Sequence, residues 1–283
     1  MPETLVRLGD LLREARAVLH EASIPEPARE SRFLWESVAG GTSSRCHDPA
    51  STVDSGLVGR FALQVERRRL GEPLAYVTGV AGFRRLGLLA DRRALIPRPE
   101  TEGLIDLLLS RVRTGIAADL GTGSGCLALS LADEGEFGRV IAVDRSREAL
   151  ALTAENAGRT GFELSLVAGD WLSSVAEGTL DAVVSNPPYL TEQEYDDLDP
   201  SVREWEPAAA LVSGPDGLAA TAALLQSAPQ ALRPGGWIAL ELDCRRAKES
   251  AALAVAAGWD AVTVEHDLFG RARYLLAQRS QRQ

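Results

Sequence analysis

The chain has 283 residues, of which 45% are hydrophobic and 25% charged, proportions that are ordinary for a globular protein. No apolar run approaches the roughly 20 residues that a membrane-spanning helix needs, so we expect no membrane span. Residues 1–85 carry 12 basic and 11 acidic side chains, whereas residues 86–283 carry 18 and 29, which gives the whole chain a net charge of −10. Because non-specific nucleic-acid binding needs a basic surface, a nucleic-acid partner is disfavoured.

The cysteines and histidines are too scattered to indicate a disulfide framework or a metal site. They are Cys46, Cys126, Cys244, His20, His47 and His266. We therefore expect incidental thiols and no bound metal. The first ten residues lack the basic and apolar regions of a signal peptide, so we expect a cytoplasmic protein. We also expect the protein to be a monomer.

Apolar residues at helical spacing run from Leu5 to about Arg69, with breaks at 24–27 and 40–44. This pattern predicts a small N-terminal domain of three or four helices over residues 1–74. Between residues 75 and 96 the segments become short and mixed, with Tyr76–Phe83 and Leu86–Leu89 separated by arginines. These segments predict a β-hairpin linker.

From residue 97 to 283 the pattern predicts an α/β domain in which strands and helices alternate. The strand candidates are Ile116–Leu120, Val140–Asp144, Leu164–Val167, Leu180–Ser185, Trp237–Leu242, Ala261–Glu265 and Arg273–Ala277. Helices are predicted at 125–133, 146–158, 217–232 and 246–257. Such alternation predicts a mostly parallel, Rossmann-like sheet of seven strands. No long helix separates the last two strands, which indicates one strand inserted antiparallel at an edge, the methyltransferase version of this fold.

A glycine-rich turn follows the first strand of this domain. Its candidate cofactor-binding residues are Asp119, Gly121, Thr122, Gly123, Ser124 and Gly125. Glycines let the backbone approach a ligand closely, and the following helix offers free N–H groups, so a nucleotide-like cofactor is indicated. Cys126 stands where a dinucleotide fingerprint has its third glycine, which weakens an NAD reading without excluding it. A purely structural tight turn remains the alternative.

Two acidic residues extend this cofactor pattern. Asp144 ends the second strand, 23 positions after Gly121, where a carboxylate can accept hydrogen bonds from ribose hydroxyls. Asp144 could instead cap the next helix, and the two roles are compatible. Asp170 and Trp171 follow the third strand, where a carboxylate can accept from an adenine amine while an indole covers the ring. Together the three elements favour S-adenosylmethionine over NAD.

The segment Asn186-Pro187-Pro188-Tyr189 ends the fourth strand, at the sheet edge where such folds bind ligands. An amide nitrogen is a poor nucleophile, so an enzyme that methylates it must orient it. The Asn186 side-chain oxygen and the Pro187 carbonyl could each accept one N–H of an –NH₂ group. The prolines stiffen the loop, and Tyr189 offers an aromatic wall. The sequence therefore predicts a methyltransferase that acts on a planar amide or amine nitrogen.

These motifs, together with several linker and loop segments, resemble the peptide chain release factor N5-glutamine methyltransferases (the HemK/PrmC family) over nearly the whole chain. The further matching segments are Gly71–Tyr76, Leu95–Glu102, Glu206-Pro207, Asp216–Leu218 and Pro234–Trp237. The chain departs from the family after Glu241, where it reads Leu242-Asp243-Cys244-Arg245-Arg246.

The resemblance implies an enzyme that uses S-adenosylmethionine, releases S-adenosylhomocysteine and methylates the glutamine of the Gly-Gly-Gln loop of a release factor. It places the cofactor on the Gly121–Gly125 loop, Asp144, Trp171 and Asn186, and the substrate glutamine on Asn186–Tyr189. We expect the N-terminal helices to dock the protein substrate.

Three other functions stay open at this point. The first is an adenine-N6 or other nucleic-acid amino-group methyltransferase, because Asn186–Tyr189 could orient an exocyclic amine in the same way as an amide. Such an enzyme would need a basic face to follow the nucleic acid. An NAD(P)-dependent oxidoreductase would leave residues 185–189 unexplained. A binding module without turnover is the third.

Overall fold

A computed structural model describes residues 6–40, 48–173 and 175–281. Cys46, His47 and residues 41–44 of a predicted helix break lie outside these residues. The described residues fall into two compact units. The helical unit comprises Met1–Val80 and Pro200–Trp205, and the sheet unit comprises Ala81–Asp199 and Glu206–Gln283. Among the described helices, none combines the length and apolar character needed to cross a bilayer.

The helical unit is built from short amphipathic helices and one small strand pair. Its described helices are α1 (Leu8–Glu21), α2 (Pro27–Ala39), α3 (Ser55–Arg69), α4 (Leu74–Thr78) and, later in the chain, α9 (Pro200–Arg203). Strands β1 (Val6–Arg7) and β2 (Thr52–Val53) pair antiparallel, a feature that the apolar pattern did not predict. Asp54 caps α3 because its side chain accepts the N–H groups of Gly56 and Leu57.

The core of the helical unit contains many of the apolar residues at helical spacing but not all of them, since Phe33 and Leu63 are 41% and 63% exposed. Leu19, Leu34 and Phe61 are fully buried, and Trp35 meets Phe61 edge to face with the ring centroids 5.8 Å apart. A buried ion pair joins Arg68 to Glu30 at 2.6 Å. These contacts tie α1, α2 and α3 into one small core.

The predicted hairpin is wrong in its first part. Residues 76–78 belong to α4, which follows Pro73 and ends where Gly79 adopts a φ of 76°. Tyr76 and Val77 are buried in this helix, so tertiary burial outweighs the preference of these residue types for strands. The two-stranded sheet that does form pairs β3 (Val80–Phe83) with β4 (Leu86–Leu89).

The sheet unit contains the predicted seven-stranded sheet. Its strands are β5 (Thr114–Leu120), β6 (Glu136–Asp144), β7 (Ser165–Ala168), β8 (Leu180–Ser185), β9 (Leu232–Glu241), β10 (Asp260–His266) and β11 (Ala272–Gln278). Within the described residues the strand order is β10-β11-β9-β8-β5-β6-β7, and β11 is antiparallel to both β9 and β10. The antiparallel strand was predicted at an edge, whereas β11 lies between β9 and the edge strand β10. The fold class is confirmed.

Helices cover both faces of this sheet. They are α5 (Glu102–Leu109), α6 (Cys126–Glu134), α7 (Arg147–Thr160), α8 (Glu192–Asp196), α10 (Ala219–Ala231) and α11 (Ala247–Ala256). Two apolar clusters lie between helices and sheet. The central strands β5 and β8 are buried along most of their length, as expected where helices cover both faces.

Parallel pairing brings the carboxyl ends of several strands to one edge of the sheet. Strands β5, β6, β8 and β9 end at Leu120, Asp144, Ser185 and Glu241. The segments that follow these ends carry most of the predicted site residues. The topology therefore assembles the candidate site from stretches far apart in sequence.

Candidate functional site

A cavity of about 500 Å³ opens at the carboxyl ends of the central strands. This volume is in the range of small-molecule sites. Among the predicted site residues, the wall includes Gly121, Thr122, Gly123, Ser124, Asp144, Asp170, Trp171, Asn186 and Pro188. Further wall residues come from Arg92–Arg98, Thr101 and the segment that leads into α10. The structure thus brings both halves of the sequence-predicted site to one cavity.

The glycine-rich turn is held both by backbone hydrogen bonds and by side chains that reach it from α7. The N–H groups of Gly121 and Thr122 donate to the carbonyl of Val143 at 2.9 and 3.0 Å. Gly125 has a φ of 83°, and a Cβ at this position would lie 2.8 Å from Cγ2 of Thr153. A side chain there would meet both a strained backbone and a packed neighbour, so only glycine fits.

Asp119 lies beneath the turn and not on the cavity wall. One carboxylate oxygen accepts the Thr122 hydroxyl at 2.6 Å and the Ala128 N–H at 3.1 Å. The other oxygen is buried and finds no hydrogen-bond partner among the described residues. Burial raises the pKa of Asp119 to about 7, although its two hydrogen bonds oppose the shift. Asp119 braces the start of α6 from within the core.

Asp144 connects the turn to the following helix. Its two oxygens accept the N–H of Gly123 at 2.9 Å and the N–H of Ser146 at 2.8 Å. The cap of α7 is Ser146, whose hydroxyl accepts the Ala149 N–H. Because each carboxylate oxygen has two lone pairs, Asp144 keeps capacity to accept hydrogen bonds from a ligand in the cavity. Asp144 is not the N-cap of α7, because Ser146 occupies that position.

Trp171 forms a wall of the cavity beside the turn. Its φ is 49°, a left-handed conformation that is uncommon for a large side chain. A Cβ placed on Gly121 would lie 3.6 Å from the indole ring, so the ring is close to the backbone of the turn. The neighbouring Gly169 N–H donates to the Asp144 carbonyl at 3.1 Å. The positions of Asp170 and Trp171 are consistent with a flat ligand next to the glycine turn.

Asn186 is held through its side-chain nitrogen. That nitrogen donates to the Thr101 hydroxyl oxygen at 3.1 Å, and the Thr101 hydroxyl donates to Glu241 at 2.6 Å. Within the loop itself, the N–H of Tyr189 donates to the Leu211 carbonyl. Asn186 and Pro188 line the cavity, whereas Pro187 and Tyr189 are not among the described wall residues. Burial raises the pKa of Tyr189 to about 12, so this phenol stays neutral.

Several polar residues of the site were not assigned a role from the sequence. Asn156 is fully buried on α7 and bonds both the Leu89 N–H, at 2.6 Å, and the Ser124 carbonyl, at 2.9 Å. Glu206 accepts the Ile96 N–H at 3.0 Å and pairs with Arg98 at 2.5 Å. Segments containing Thr101 and Glu206 match the family, but the partners of these two residues lie 85 to 140 positions away in sequence.

The segment that departs from the family pattern forms a short turn at Cys244–Arg246. Arg246 pairs with Glu194 at 2.8 Å and with Asp243 at 2.7 Å. These ion pairs give the segment a structural role. Among the described residues, no group of three or more His, Cys, Asp or Glu side chains is arranged to hold a metal ion.

Family models match both parts of the chain. The Methyltransferase small domain matches residues 100–199, and the PrmC N-terminal domain matches residues 10–79. A release factor glutamine methyltransferase of Deinococcus radiodurans is 39% identical, with 97% of this chain and 99% of the relative covered. Another of the same name from Nitratidesulfovibrio vulgaris is 38% identical, with 96% and 95% covered.

Solved structures with the same fold are more distant in sequence. A methyltransferase from Pyrococcus furiosus is 20% identical with a TM-score of 0.53, and the alignment covers 80% of this chain and all of that one. A 16S rRNA methyltransferase of T. thermophilus, solved with AdoMet and guanosine, is 20% identical with a TM-score of 0.50 and covers 72% of this chain and 50% of that chain. These likenesses support the fold.

Proposed function

Because the chain belongs to the release factor glutamine methyltransferase family, as its curated relatives show, we propose that it methylates N5 of the glutamine in the Gly-Gly-Gln loop of a peptide chain release factor. The methyl donor in this proposal is S-adenosylmethionine, and the second product is S-adenosylhomocysteine. The observation that carries the proposal is the orientation of Asn186 at the wall of the cavity, where its side-chain nitrogen donates a hydrogen bond to the Thr101 hydroxyl. Its oxygen is therefore the group that remains to accept an amide N–H.

The residues on the cofactor side fit an adenosyl ligand. A turn of three glycines with positive φ leaves room against the backbone, and Asp144 keeps acceptor capacity for ribose hydroxyls. Trp171 offers a flat face, and Asp170 stands beside it on the cavity wall. When bound, S-adenosylmethionine supplies an electrophilic methyl group on its sulfonium. The residues proposed to hold it are those of the Gly121–Gly125 turn together with Asp144, Asp170, Trp171 and Asn186.

The residues of the acceptor loop position the glutamine amide for methyl transfer. In the proposed complex the Asn186 oxygen accepts one N–H of the glutamine amide, and the carbonyl of Pro187, which lies in sequence between the wall residues Asn186 and Pro188, accepts the other. Two fixed acceptors orient the amide plane, so that the nitrogen lone pair points at the methyl carbon for an in-line displacement. Pro188 and Tyr189 confine the planar group. The chain contributes geometry and electrostatics, and no covalent enzyme intermediate is required.

The helical unit is proposed to dock the protein substrate. On this unit, Leu63 on α3 and Leu70, the residue that caps the end of α3, are 63% and 61% exposed and lie seven positions apart. Exposed aliphatic side chains at helical spacing are suited to contact a partner. Changing both to serine should lower kcat/KM for a whole release factor several-fold and leave a short Gly-Gly-Gln peptide unaffected. Val255→Ser, at 65% exposure on α11, is the control.

The acceptor is tested by competition. The enzyme is given labelled S-adenosylmethionine together with a release factor, the release factor whose loop glutamine is replaced by alanine, and adenine-containing DNA. Mass spectrometry then locates the label. We expect a single methyl group on the loop glutamine.

Label on DNA would support the nucleic-acid alternative instead. Label on the alanine variant at an undiminished level would move the modification to another residue of the release factor. The acidic charge of residues 86–283 should repel a phosphate backbone, and salt screens that repulsion. Running the competition at low and high salt therefore separates failed access from failed chemistry.

A further inference from the structure

A hydrogen-bonded chain runs from the acceptor loop into the core of the sheet unit. Asn186 donates to Thr101, which donates to Glu241, and a guanidinium nitrogen of Arg273 lies 3.7 Å from the far oxygen of Glu241. Thr101 ends a short 3₁₀ turn, whereas Glu241 ends β9, so the link joins two elements 140 positions apart. Thr101 and Glu241 are 2% and 1% exposed. Neither residue is among those proposed to contact the cofactor or the glutamine.

The direction of each hydrogen bond follows from the chemistry of Glu241. An ionised carboxylate can only accept, so the Thr101 hydroxyl must give its single proton to Glu241. The hydroxyl then offers only lone pairs to Asn186. The Asn186 side chain must present its NH₂ group to Thr101, and its oxygen must face the other way, towards the cavity. A protonated Glu241 could donate instead, and Thr101 could then donate to the Asn186 oxygen.

We propose that Thr101 and Glu241 are positioning residues that fix which end of the Asn186 amide faces the substrate. The Asn186 oxygen accepts an amide N–H, whereas a flipped side chain would present an NH₂ group and repel the substrate's own donors. The carboxylate of Glu241 thereby sets the polarity of a site that it does not touch. This inference rests on the proposed role of Asn186 as the acceptor for the glutamine amide.

Several charged and titratable groups face Glu241 and act on its ionisation. They are Arg273, Arg98, Glu100, Tyr189, Tyr274 and Cys126. Burial raises the pKa of Glu241 to about 7, and Glu100 adds to the shift, while the Thr101 hydroxyl and the two arginines oppose it. The carboxylate is therefore present above about pH 7 and is progressively lost below it. The transfer rate should rise as the pH passes through this value.

The test is single-turnover methyl transfer by the full chain to a Gly-Gly-Gln peptide, measured between pH 5.5 and 9. Thr101→Val removes the hydroxyl and should slow transfer by at least about tenfold, the effect of one lost hydrogen bond to an orienting group. Thr101→Ser keeps the hydroxyl and should restore both the rate and the pH dependence. Glu241→Gln should slow transfer and remove the rise near neutral pH.

A double-variant cycle tests whether Glu241 acts through Thr101. If it does, Glu241→Gln should change the rate little once Thr101→Val is present, because the link is already broken. Glu134→Gln is the matched control, since Glu134 is a recessed acid paired with Arg84 at 2.5 Å on another part of the unit. Its rate and pH profile should equal those of the wild type. Circular dichroism and S-adenosylmethionine titration verify that each variant folds and binds.

Asn186→Ala, measured in the same series, distinguishes the acceptor role of Asn186 from the positioning role of Thr101 and Glu241. A wild-type rate for Asn186→Ala would overturn the proposed acceptor site itself. A slow Asn186→Ala with a fast Thr101→Val, or additive effects in the cycle, would overturn only the positioning role. If Thr101→Val does not fold, Thr101→Ser and Glu241→Gln decide the question: an unchanged pH profile in Glu241→Gln contradicts the proposal.

Discussion

The two sides of the cavity are built by different means. On the cofactor side, backbone groups of the turn take part in most of the hydrogen bonds that hold it: the N–H groups of Gly121 and Thr122 donate to the Val143 carbonyl, and the Asp144 side chain accepts the N–H of Gly123. On the acceptor side, the orientation of Asn186 depends on side chains alone, through Thr101 and Glu241. The contacts of the cofactor turn join residues 21 to 32 positions apart, whereas the acceptor side is assembled across 140 positions.

This difference teaches where each side is vulnerable. A backbone-built turn tolerates many side-chain changes but not a Cβ at its tightest glycine, since the added atom meets both strain and packing. A series of hydrogen bonds between side chains can be broken by substituting any one of its residues, without disturbing the backbone. We therefore expect substitutions on the acceptor side to affect the rate of transfer, and those on the cofactor side to affect binding or stability.

The largest expected effect is on the acceptor side. Asn186→Ala should slow single-turnover transfer by at least about 100-fold, the cost typical of deleting one preorganised polar group at a reacting centre. The midpoint of thermal unfolding should change little, because Asn186 is only partly buried at the cavity wall. A loss of stability that parallels the loss of rate would break the comparison, since Asn186 would then be a structural residue.

Asp144→Ala should act on the other side. Losing a charged acceptor costs about 1.5–3 kcal/mol, which corresponds to a rise of roughly 10- to 150-fold in the Kd for S-adenosylmethionine. Isothermal titration measures this change directly. Asp144→Asn keeps an acceptor oxygen without the charge and should fall between alanine and the wild type. Unchanged affinity in both variants would remove Asp144 from the cofactor site.

A pair of glycine variants isolates the packing of the turn. Gly125 and Gly161 have nearly equal φ angles of 83° and 80°, but a Cβ on Gly125 meets Thr153 while a Cβ on Gly161 meets nothing within 4 Å. Both alanine variants carry the strain of a left-handed backbone, about 1–2 kcal/mol. Gly125→Ala should lose about 1–3 kcal/mol more because of overpacking. Equal midpoints in urea unfolding would show that the turn can relax.

The same contrast explains how much the sequence alone could predict. The glycine turn, Asp144 and Asn186 follow strands at positions that local patterns identify, and the periodicity predicted the seven-stranded sheet in which they lie. Glu241 could not be assigned a role, because its partner Thr101 becomes adjacent only when β9 packs in the folded sheet unit. The error at α4 has a similar origin, since burial of Tyr76 and Val77 is a property of the tertiary fold.

Whether Asn186 accepts an N–H of the substrate amide is tested by the discrimination between glutamine and glutamate at the acceptor position. A Gly-Gly-Gln peptide and its Gly-Gly-Glu counterpart are titrated against the wild type and Asn186→Ala, each saturated with S-adenosylhomocysteine. A site built to accept two N–H groups should reject a carboxylate, which has none. We expect a strong preference for glutamine in the wild type and a much weaker one in Asn186→Ala, where only the Pro187 carbonyl remains as an acceptor; an equal preference in both proteins would contradict the proposed role of Asn186.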